Sequence, residues 1–84
     1  MNKVTIYGRM SCGFCTRARR LCEVRGLPHE WVDMEEKGLT KEDLSKLTGS
    51  PVRTVPQIFV DGEHVGGFDE FANYVETHLD AQTG

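Results

Sequence analysis

An Asp-Gly pair between two β-rich segments places the strongest constraint on the fold of this chain. Residues 57–60 precede Asp61-Gly62, and residues 63–66 follow it; both segments are rich in residues that favour strands. A two-residue Asp-Gly loop is the strongest short-range signal for a β-hairpin, because its turn requires positive φ at both positions. The sequence therefore predicts two antiparallel strands joined by this turn.

The first half of the chain predicts a β-α-β unit. Residues 3–7 are rich in strand formers, residues 16–24 carry apolar residues at helical spacing, and residues 30–34 alternate polar and apolar residues. Gly26 and Pro28 are expected to end the helix. Two strands that are joined through a helix should be parallel, so the sheet combines parallel and antiparallel pairs.

Two further helices complete the predicted pattern. Thr40 is a candidate N-cap with Asp43 as its partner in a capping box, and Gly49 is expected to end that helix. Apolar residues at helical spacing predict an amphipathic last helix that packs on the sheet: Phe68, Phe71, Ala72, Val75 and Leu79. The element order is β-α-β-α-β-β-α, which predicts an α/β fold with a four-stranded mixed sheet flanked by three helices.

Length and charge limit the class of protein. The chain has 84 residues, which allows one domain, residues 1–84. Its 10 basic and 13 acidic residues give a net charge of −3, which argues against a generally basic nucleic-acid binder. The sequence contains neither a membrane-spanning apolar run nor the apolar core of a secretory signal at its N-terminus. We therefore expect a complete cytoplasmic domain, a monomer that binds neither nucleic acid nor membranes.

The three cysteines indicate redox chemistry. Cys12 and Cys15 form a C-x-x-C motif at the predicted junction of a strand and a helix, whereas Cys22 is expected to be a core residue. An odd number of cysteines argues against a disulfide-stapled secreted scaffold. A structural zinc site needs four ligands, and no second pair with suitable spacing is present, so no metal site is predicted. A single C-x-x-C in this setting is typical of a redox-active pair.

Three separated motifs carry a family resemblance: Arg9-Met10-Ser11-Cys12-Gly13-Phe14-Cys15, Arg53-Thr54-Val55-Pro56-Gln57-Ile58-Phe59 and Gly66-Gly67-Phe68-Asp69. With these motifs in this order, nearly the whole chain resembles a glutaredoxin, a small member of the thioredoxin fold. The resemblance implies a glutathione-dependent oxidoreductase that reduces protein disulfides and glutathione mixed disulfides. It further implies that Cys12 is the nucleophile, that Cys15 is the resolving thiol and that Pro56 is cis.

The position of Cys12 suits that chemistry. A thiolate, not a thiol, attacks a disulfide, so the nucleophile needs a lowered pKa. Free backbone N–H groups of residues 13–15 and the positive end of the helix would stabilise the Cys12 anion, and Arg9 could add a positive charge. Cys15 lies one helical turn further in, so we expect it to be more buried and a poorer attacking group.

The resemblance also implies a groove that binds glutathione. The backbone of Val55 would pair with the cysteinyl unit, and Arg53 would meet the glycine carboxylate. The start of the last helix, with Asp69 or Glu70, would hold the γ-glutamyl end. The full set of implied glutathione-binding residues is Arg9, Phe14, Arg53, Thr54, Val55, Pro56, Gly67, Phe68, Asp69 and Glu70.

Two other functions stay open. Many dithiol glutaredoxins carry Cys-Pro-Tyr-Cys, whereas this chain has Gly13 and Phe14 between the cysteines. Gly13 is compatible with a dimer in which two Cys12 thiolates and two glutathiones bridge a [2Fe–2S] cluster. The other alternative is a thioredoxin-like electron carrier reduced by a flavoprotein reductase, against which the implied glutathione groove argues. Disulfide-containing or glutathionylated proteins, with ribonucleotide reductase among them, are partners expected from the family resemblance.

Overall fold

A four-stranded mixed sheet organises the computed structural model, which describes residues 3–79 and, for residues 78 and 79, the backbone only. The strands are β1 (Val4–Gly8), β2 (His29–Asp33), β3 (Gln57–Val60) and β4 (Glu63–Gly66). Their order across the sheet is β2-β1-β3-β4. The pair β1–β2 is parallel, while β1–β3 and β3–β4 are antiparallel. The predicted mixed sheet is confirmed.

The Asp-Gly turn joins β3 to β4 as predicted. Asp61 and Gly62 have φ values of 53° and 86°, the positive values that this tight turn requires. The register of the hairpin then shifts by one residue, because Phe59 lies opposite His64 whereas Ile58 lies opposite Gly66. Val65 is therefore the extra residue of a β-bulge in β4.

The helices are α1 (Gly13–Arg25), α2 (Met34–Lys37), α3 (Lys41–Thr48) and α4 (Phe68–Tyr74), and α4 continues into a π-helical turn, Val75–Leu79. The predicted capping box at α3 is confirmed: Thr40 Oγ1 accepts a hydrogen bond from the Asp43 N–H, and Asp43 Oδ2 accepts one from the Thr40 N–H. None of the helices in the described part of the chain is long and apolar enough to cross a membrane.

The short helix α2 was not predicted. Met34 was assigned to the second strand, but that strand ends at Asp33, whose carboxylate accepts hydrogen bonds from the N–H groups of Glu35 and Glu36. Asp33 is thus an N-cap that turns the chain into a helix, and Met34 is buried in its first turn. Alternation of polar and apolar residues alone could not distinguish this turn from the end of a strand.

The last helix also departs from the prediction of one regular helix. From Val75 its hydrogen bonding becomes π-helical, and the Thr77 hydroxyl donates to the Asn73 carbonyl at 3.0 Å. Such back-bonding by a threonine distorts helices, because the hydroxyl competes for a carbonyl of the preceding turn. The expected inward position of Leu79 concerns a side chain outside the described residues.

The core lies between one face of the sheet and the helices α1 and α4. Its buried residues come from all of these elements: Val4, Ile6, Ala18, Cys22, Ile58, Val60, Phe71 and Val75. Cys22 is fully buried, which confirms the prediction that it is a core residue. The opposite face of the sheet carries an aromatic pair, Tyr7 and Phe59, whose ring centroids are 5.5 Å apart.

Candidate active site

Cys12 is the N-cap residue of α1. Its backbone is extended, and its N–H donates to the Arg9 carbonyl at 3.1 Å, which closes the turn after β1. Its Sγ accepts a hydrogen bond from the Cys15 N–H at 3.4 Å. The first turn of α1 contains no acidic residue. Because the N-terminus of a helix carries partial positive charge, this position stabilises a negative charge on Sγ.

The Cys12 thiol also meets a segment that is distant in sequence. As a thiol, Sγ donates to the Val55 carbonyl at 3.5 Å, across 43 residues of chain. Val55 immediately precedes Pro56, and the peptide bond between them is cis, as the family resemblance implies. The side chain of Cys12 is partly exposed between the helix and this segment. A disulfide that approaches along the segment can therefore reach Sγ.

Cys15 occupies a very different environment only one helical turn away. Its side chain is 1% exposed, which confirms that it is more buried than Cys12. Burial, reinforced by a hydrogen bond with the Cys12 side chain, raises the pKa of the Cys15 thiol to about 12. Burial likewise raises the pKa of Cys22 to about 11, with a further contribution from the negative charge of Glu23. Both groups remain protonated at neutral pH.

Gly8, the last residue of β1, provides the space that the Cys15 thiol occupies. A Cβ atom built on Gly8 would overlap Sγ of Cys15 and would lie 3.1 Å from Cη2 of Trp31. The Cys15 thiol and the Trp31 ring thus both border the space that a side chain at position 8 would occupy. A side chain at position 8 would have to displace the sulfur, because both neighbours are packed.

A cavity of about 280 Å³ opens beside the Cys12–Val55 contact. Eight of the ten residues implied by the resemblance line it: Phe14, Thr54, Val55, Pro56, Gly67, Phe68, Asp69 and Glu70. Arg9 and Arg53 are not among its lining residues. Arg53 is exposed next to Thr54, and Arg9 is partly buried, with an Nε that has no hydrogen-bond partner among the described residues. Their roles in binding stay predictions.

Two aromatic rings form the apolar side of this cavity. The centroids of Phe14 and Phe68 are 6.1 Å apart, and the Phe14 side chain is 52% exposed. The guanidinium of Arg17 lies 5.4 Å from the centroid of Phe14. Arg17 is not among the binding residues that the family resemblance implies, but its position three residues after Phe14 on a helix brings the two side chains together.

The two carboxylates at the other end of the cavity differ in their contacts. Glu70 Oε1 accepts a hydrogen bond from the Gly67 N–H at 2.8 Å, so Glu70 caps the start of α4. Asp69 is exposed and has no hydrogen bond to another described residue. Asp69 is thus the carboxylate of the two that is not engaged in capping the helix. Within residues 3–79, no group of three His, Cys, Asp or Glu side chains is placed to hold a metal ion.

Comparisons with known proteins agree with this geometry. Residues 4–65 match the family model described as glutaredoxin. The chain is 44% identical to glutaredoxin 1 of Escherichia coli (strain K12), over 94% of this chain and 99% of that protein. It superposes on the oxidised E. coli glutaredoxin solved by NMR with a TM-score of 0.84 and 43% identity, covering 93% of this chain and 98% of the other. A buckwheat glutaredoxin–glutathione complex gives a TM-score of 0.75 at 26% identity, covering 96% and 72%.

The burial of two thiols predicts selective alkylation. At pH 7.5 the reduced protein should react with iodoacetamide at Cys12 alone, because Cys15 and Cys22 are buried and protonated. Peptide mapping by mass spectrometry would locate the modified residues. In urea all three cysteines should react. Modification of Cys15 or Cys22 in the folded protein at a rate similar to that of Cys12 would contradict this assignment.

Gly8→Ala should misplace the Cys15 thiol. We expect closure of a Cys12–Cys15 disulfide to slow by about tenfold or more, because a small displacement of a reacting group has a large effect on rate. Overpacking should also lower the free energy of unfolding by about 1–3 kcal/mol. Gly13→Ala is the matched control, since a Cβ at Gly13 would meet no atom within 4 Å. Wild-type closure kinetics in Gly8→Ala would show that Gly8 does not set the position of Cys15.

Proposed function

The chain belongs to the glutaredoxin family and is a glutathione-dependent thiol–disulfide oxidoreductase, in which, we propose, Cys12 is the nucleophile and Cys15 the resolving thiol. One observation carries the assignment of these roles. Cys12 Sγ is partly exposed at the N-terminus of α1 and beside the cavity, whereas Cys15 Sγ is buried behind it with a pKa raised to about 12. Cys12 can therefore react with a substrate directly, whereas Cys15 can react only with the mixed disulfide that Cys12 has formed.

The first step is an exchange of one disulfide for another. The Cys12 thiolate attacks a sulfur of the substrate disulfide, a bond forms between the two sulfurs, and the old S–S bond breaks. The leaving sulfur takes the electron pair and then a proton. When the substrate is a glutathione mixed disulfide, Cys12 becomes glutathionylated and the substrate thiol is released. A second glutathione thiolate then attacks this intermediate, which yields oxidised glutathione and regenerates Cys12.

The second thiol is needed when the substrate is a protein disulfide. Cys15 attacks Sγ of Cys12 in the mixed disulfide, the Cys12–Cys15 disulfide forms, and the substrate leaves as a dithiol. Both a negative charge on Cys12 and its hydrogen bond raise the pKa of Cys15. A Cys12 sulfur bonded to substrate carries no such charge. The first step therefore removes part of the barrier to ionising Cys15, although burial continues to oppose it.

The cavity and the exposed surface beside it have groups suited to each part of glutathione. The Val55 backbone is proposed to pair with the cysteinyl unit, Phe14 and Phe68 to contact the apolar atoms, and Asp69 to hold the γ-glutamyl ammonium. Arg53 is proposed to pair with the glycine carboxylate from its exposed position next to Thr54. A structure of a buckwheat relative is a complex with glutathione, which supports this ligand for the cavity.

The wider partners are those that the family resemblance implies. We propose disulfide-containing and glutathionylated proteins as substrates, ribonucleotide reductase among them, and a cytoplasmic location, where thiols are kept reduced.

The cluster-bridging dimer stays a prediction from Gly13. Visible absorption of the anaerobically purified protein would support it. Nothing supports this alternative or the thioredoxin-like electron carrier better than the assigned reaction.

Substitution of each cysteine should separate the two reactions. Cys12→Ser should abolish the reduction of glutathione mixed disulfides, since no other described thiol is exposed at a helix N-terminus. Cys15→Ser should retain that reaction but lose the reduction of protein disulfides that need a resolving thiol. Both rates can be followed through NADPH oxidation in an assay coupled to glutathione reductase. Turnover of Cys12→Ser near that of the wild type would disprove the assignment.

Substitution of the charged groove residues should weaken the use of glutathione. Arg53→Ala and Asp69→Ala should each raise KM for a glutathione mixed disulfide about fivefold or less, because an ion pair at an exposed site contributes little. Reduction of a small disulfide without glutathione should change much less. Glu70→Ala should instead lower the thermal midpoint, because it removes the cap of α4. Equal losses on both disulfides for Asp69→Ala would mean that Asp69 does not contact glutathione.

A further inference from the structure

Gln57 is a buried polar side chain next to the candidate site. It is 7% exposed, follows Pro56 directly and begins β3. Ile58 and Val60 point into the core, so Gln57 lies on the opposite face of the sheet, with Tyr7 and Phe59. A primary amide in such a place needs hydrogen-bond partners, because an unsatisfied buried amide is costly.

Both ends of the Gln57 amide have a partner. One end lies 2.9 Å from the Thr54 carbonyl and the other 2.6 Å from Nε2 of His64. A carbonyl can only accept, so the group that faces Thr54 must be the NH₂ group, and Oε1 must face His64. His64 must therefore donate from Nε2. The hydrogen bonds run in one direction, from His64 to Gln57 to the Thr54 carbonyl.

The histidine that begins this chain of hydrogen bonds is held by the sheet. His64 lies on β4 opposite Phe59, and the centroids of the two rings are 5.2 Å apart. Phe59 packs in turn against Tyr7 on β1. The donor is thus supported by aromatic contacts that reach the centre of the sheet.

The Thr54 carbonyl belongs to the same peptide unit as the Val55 N–H. In a planar trans peptide these two groups point in opposite directions. Because the carbonyl is fixed towards Gln57, the Val55 N–H is fixed away from Gln57. Thr54 and Val55 both line the cavity. In the described part of the chain this N–H donates to no acceptor. It is an oriented and unused donor on the residue whose carbonyl accepts from the Cys12 thiol.

We propose that Gln57 and His64 are positioning residues for glutathione recognition, which orient the Val55 N–H towards the carbonyl of the cysteinyl unit. This inference rests on the proposed function, because it assumes that glutathione lies along Val55. Neither side chain contacts the ligand. Both hold the Thr54–Val55 peptide in one orientation. Without them this peptide unit could rotate as a whole and turn the Val55 N–H away from the groove.

Gln57→Glu is the most informative substitution. It preserves size and leaves an oxygen acceptor for His64, but it turns the donor that faces Thr54 into an oxygen, which repels the carbonyl. His64→Leu removes the first donor and leaves Gln57 free to rotate. His64→Gln retains a side-chain N–H donor and should restore binding. Tyr7→Phe is the matched control, since it lies on the same face and keeps the ring that packs on Phe59.

The substrates should be one small thiol without amide groups, carried as two mixed disulfides, with glutathione and with 2-mercaptoethanol. Mercaptoethanol has no peptide carbonyl for Val55 to bind, so it reports on thiol chemistry alone. For the glutathione disulfide we expect KM to rise about tenfold in Gln57→Glu and about threefold in His64→Leu, with kcat little changed. His64→Gln and Tyr7→Phe should match the wild type, and the loss should be confined to the glutathione disulfide.

A direct measurement of the Val55 amide complements the kinetics. In Cys15→Ser protein glutathionylated at Cys12, the Val55 amide should be protected from hydrogen exchange, as followed by ¹⁵N NMR. The protection should fall in the Gln57→Glu background. If Gln57→Glu does not fold, His64→Leu keeps the test valid, because His64 is exposed and its removal should have little effect on the core.

The results separate this inference from the function on which it rests. A wild-type preference for the glutathione disulfide that both variants retain, with Val55 still protected, would overturn the positioning role and leave the groove intact. Equal losses on the two disulfides would also overturn it, since the defect would then lie in the thiol or the fold. Absence of the preference in the wild type would instead refute the proposed groove itself.

Discussion

The antiparallel pairing of β1 with β3 is the constraint on which the site depends. Tyr7 pairs with Gln57 at one end of this ladder and Val4 with Val60 at the other. Because the strands run in opposite directions, the end of β1 and the start of β3 meet at the same edge of the sheet. The loop that leads to Cys12 and the segment that ends at Pro56 therefore lie side by side. The contact between the Cys12 thiol and the Val55 carbonyl follows from backbone pairing at the centre of the fold.

The same helix turn produces two chemically different thiols. Cys12 caps α1 at the surface, where backbone N–H groups favour an anion, and Cys15 lies one turn inside, where burial favours the thiol. The proposed order of reaction, first Cys12 and then Cys15, thus follows from the different depths of the two thiols along one helix. The space that Gly8 leaves is what allows a sulfur to occupy the inner position.

Turns, helix caps and most strands could be predicted from residues close in sequence, and the errors in the prediction are confined to the ends of single elements and to the short helix α2. The Asp61-Gly62 turn and the Thr40–Asp43 capping box depend on residues close in sequence, so the sequence alone was sufficient to predict both. Met34 was misassigned because an alternating pattern fits both a strand end and the first turn of a capped helix. The residues of the cavity came from family resemblance, since Phe14, Val55 and Asp69 meet only through tertiary packing. Gln57 was recognised as part of a strand and of the second motif, but its hydrogen-bond partners lie in a neighbouring strand and a preceding loop and could not be predicted.

The β-bulge at Val65 limits how the length of this chain can vary during evolution. Surface connections such as hairpin turns ordinarily tolerate insertions and deletions. A chain that lost Val65 would pair β4 regularly with β3, but Gly67 would retreat towards the turn by about 3.3 Å, the rise of one residue. The start of α4 would then leave the cavity that Gly67 and Asp69 line. At this hairpin, a change of one residue in length is therefore more damaging than most changes of side chain.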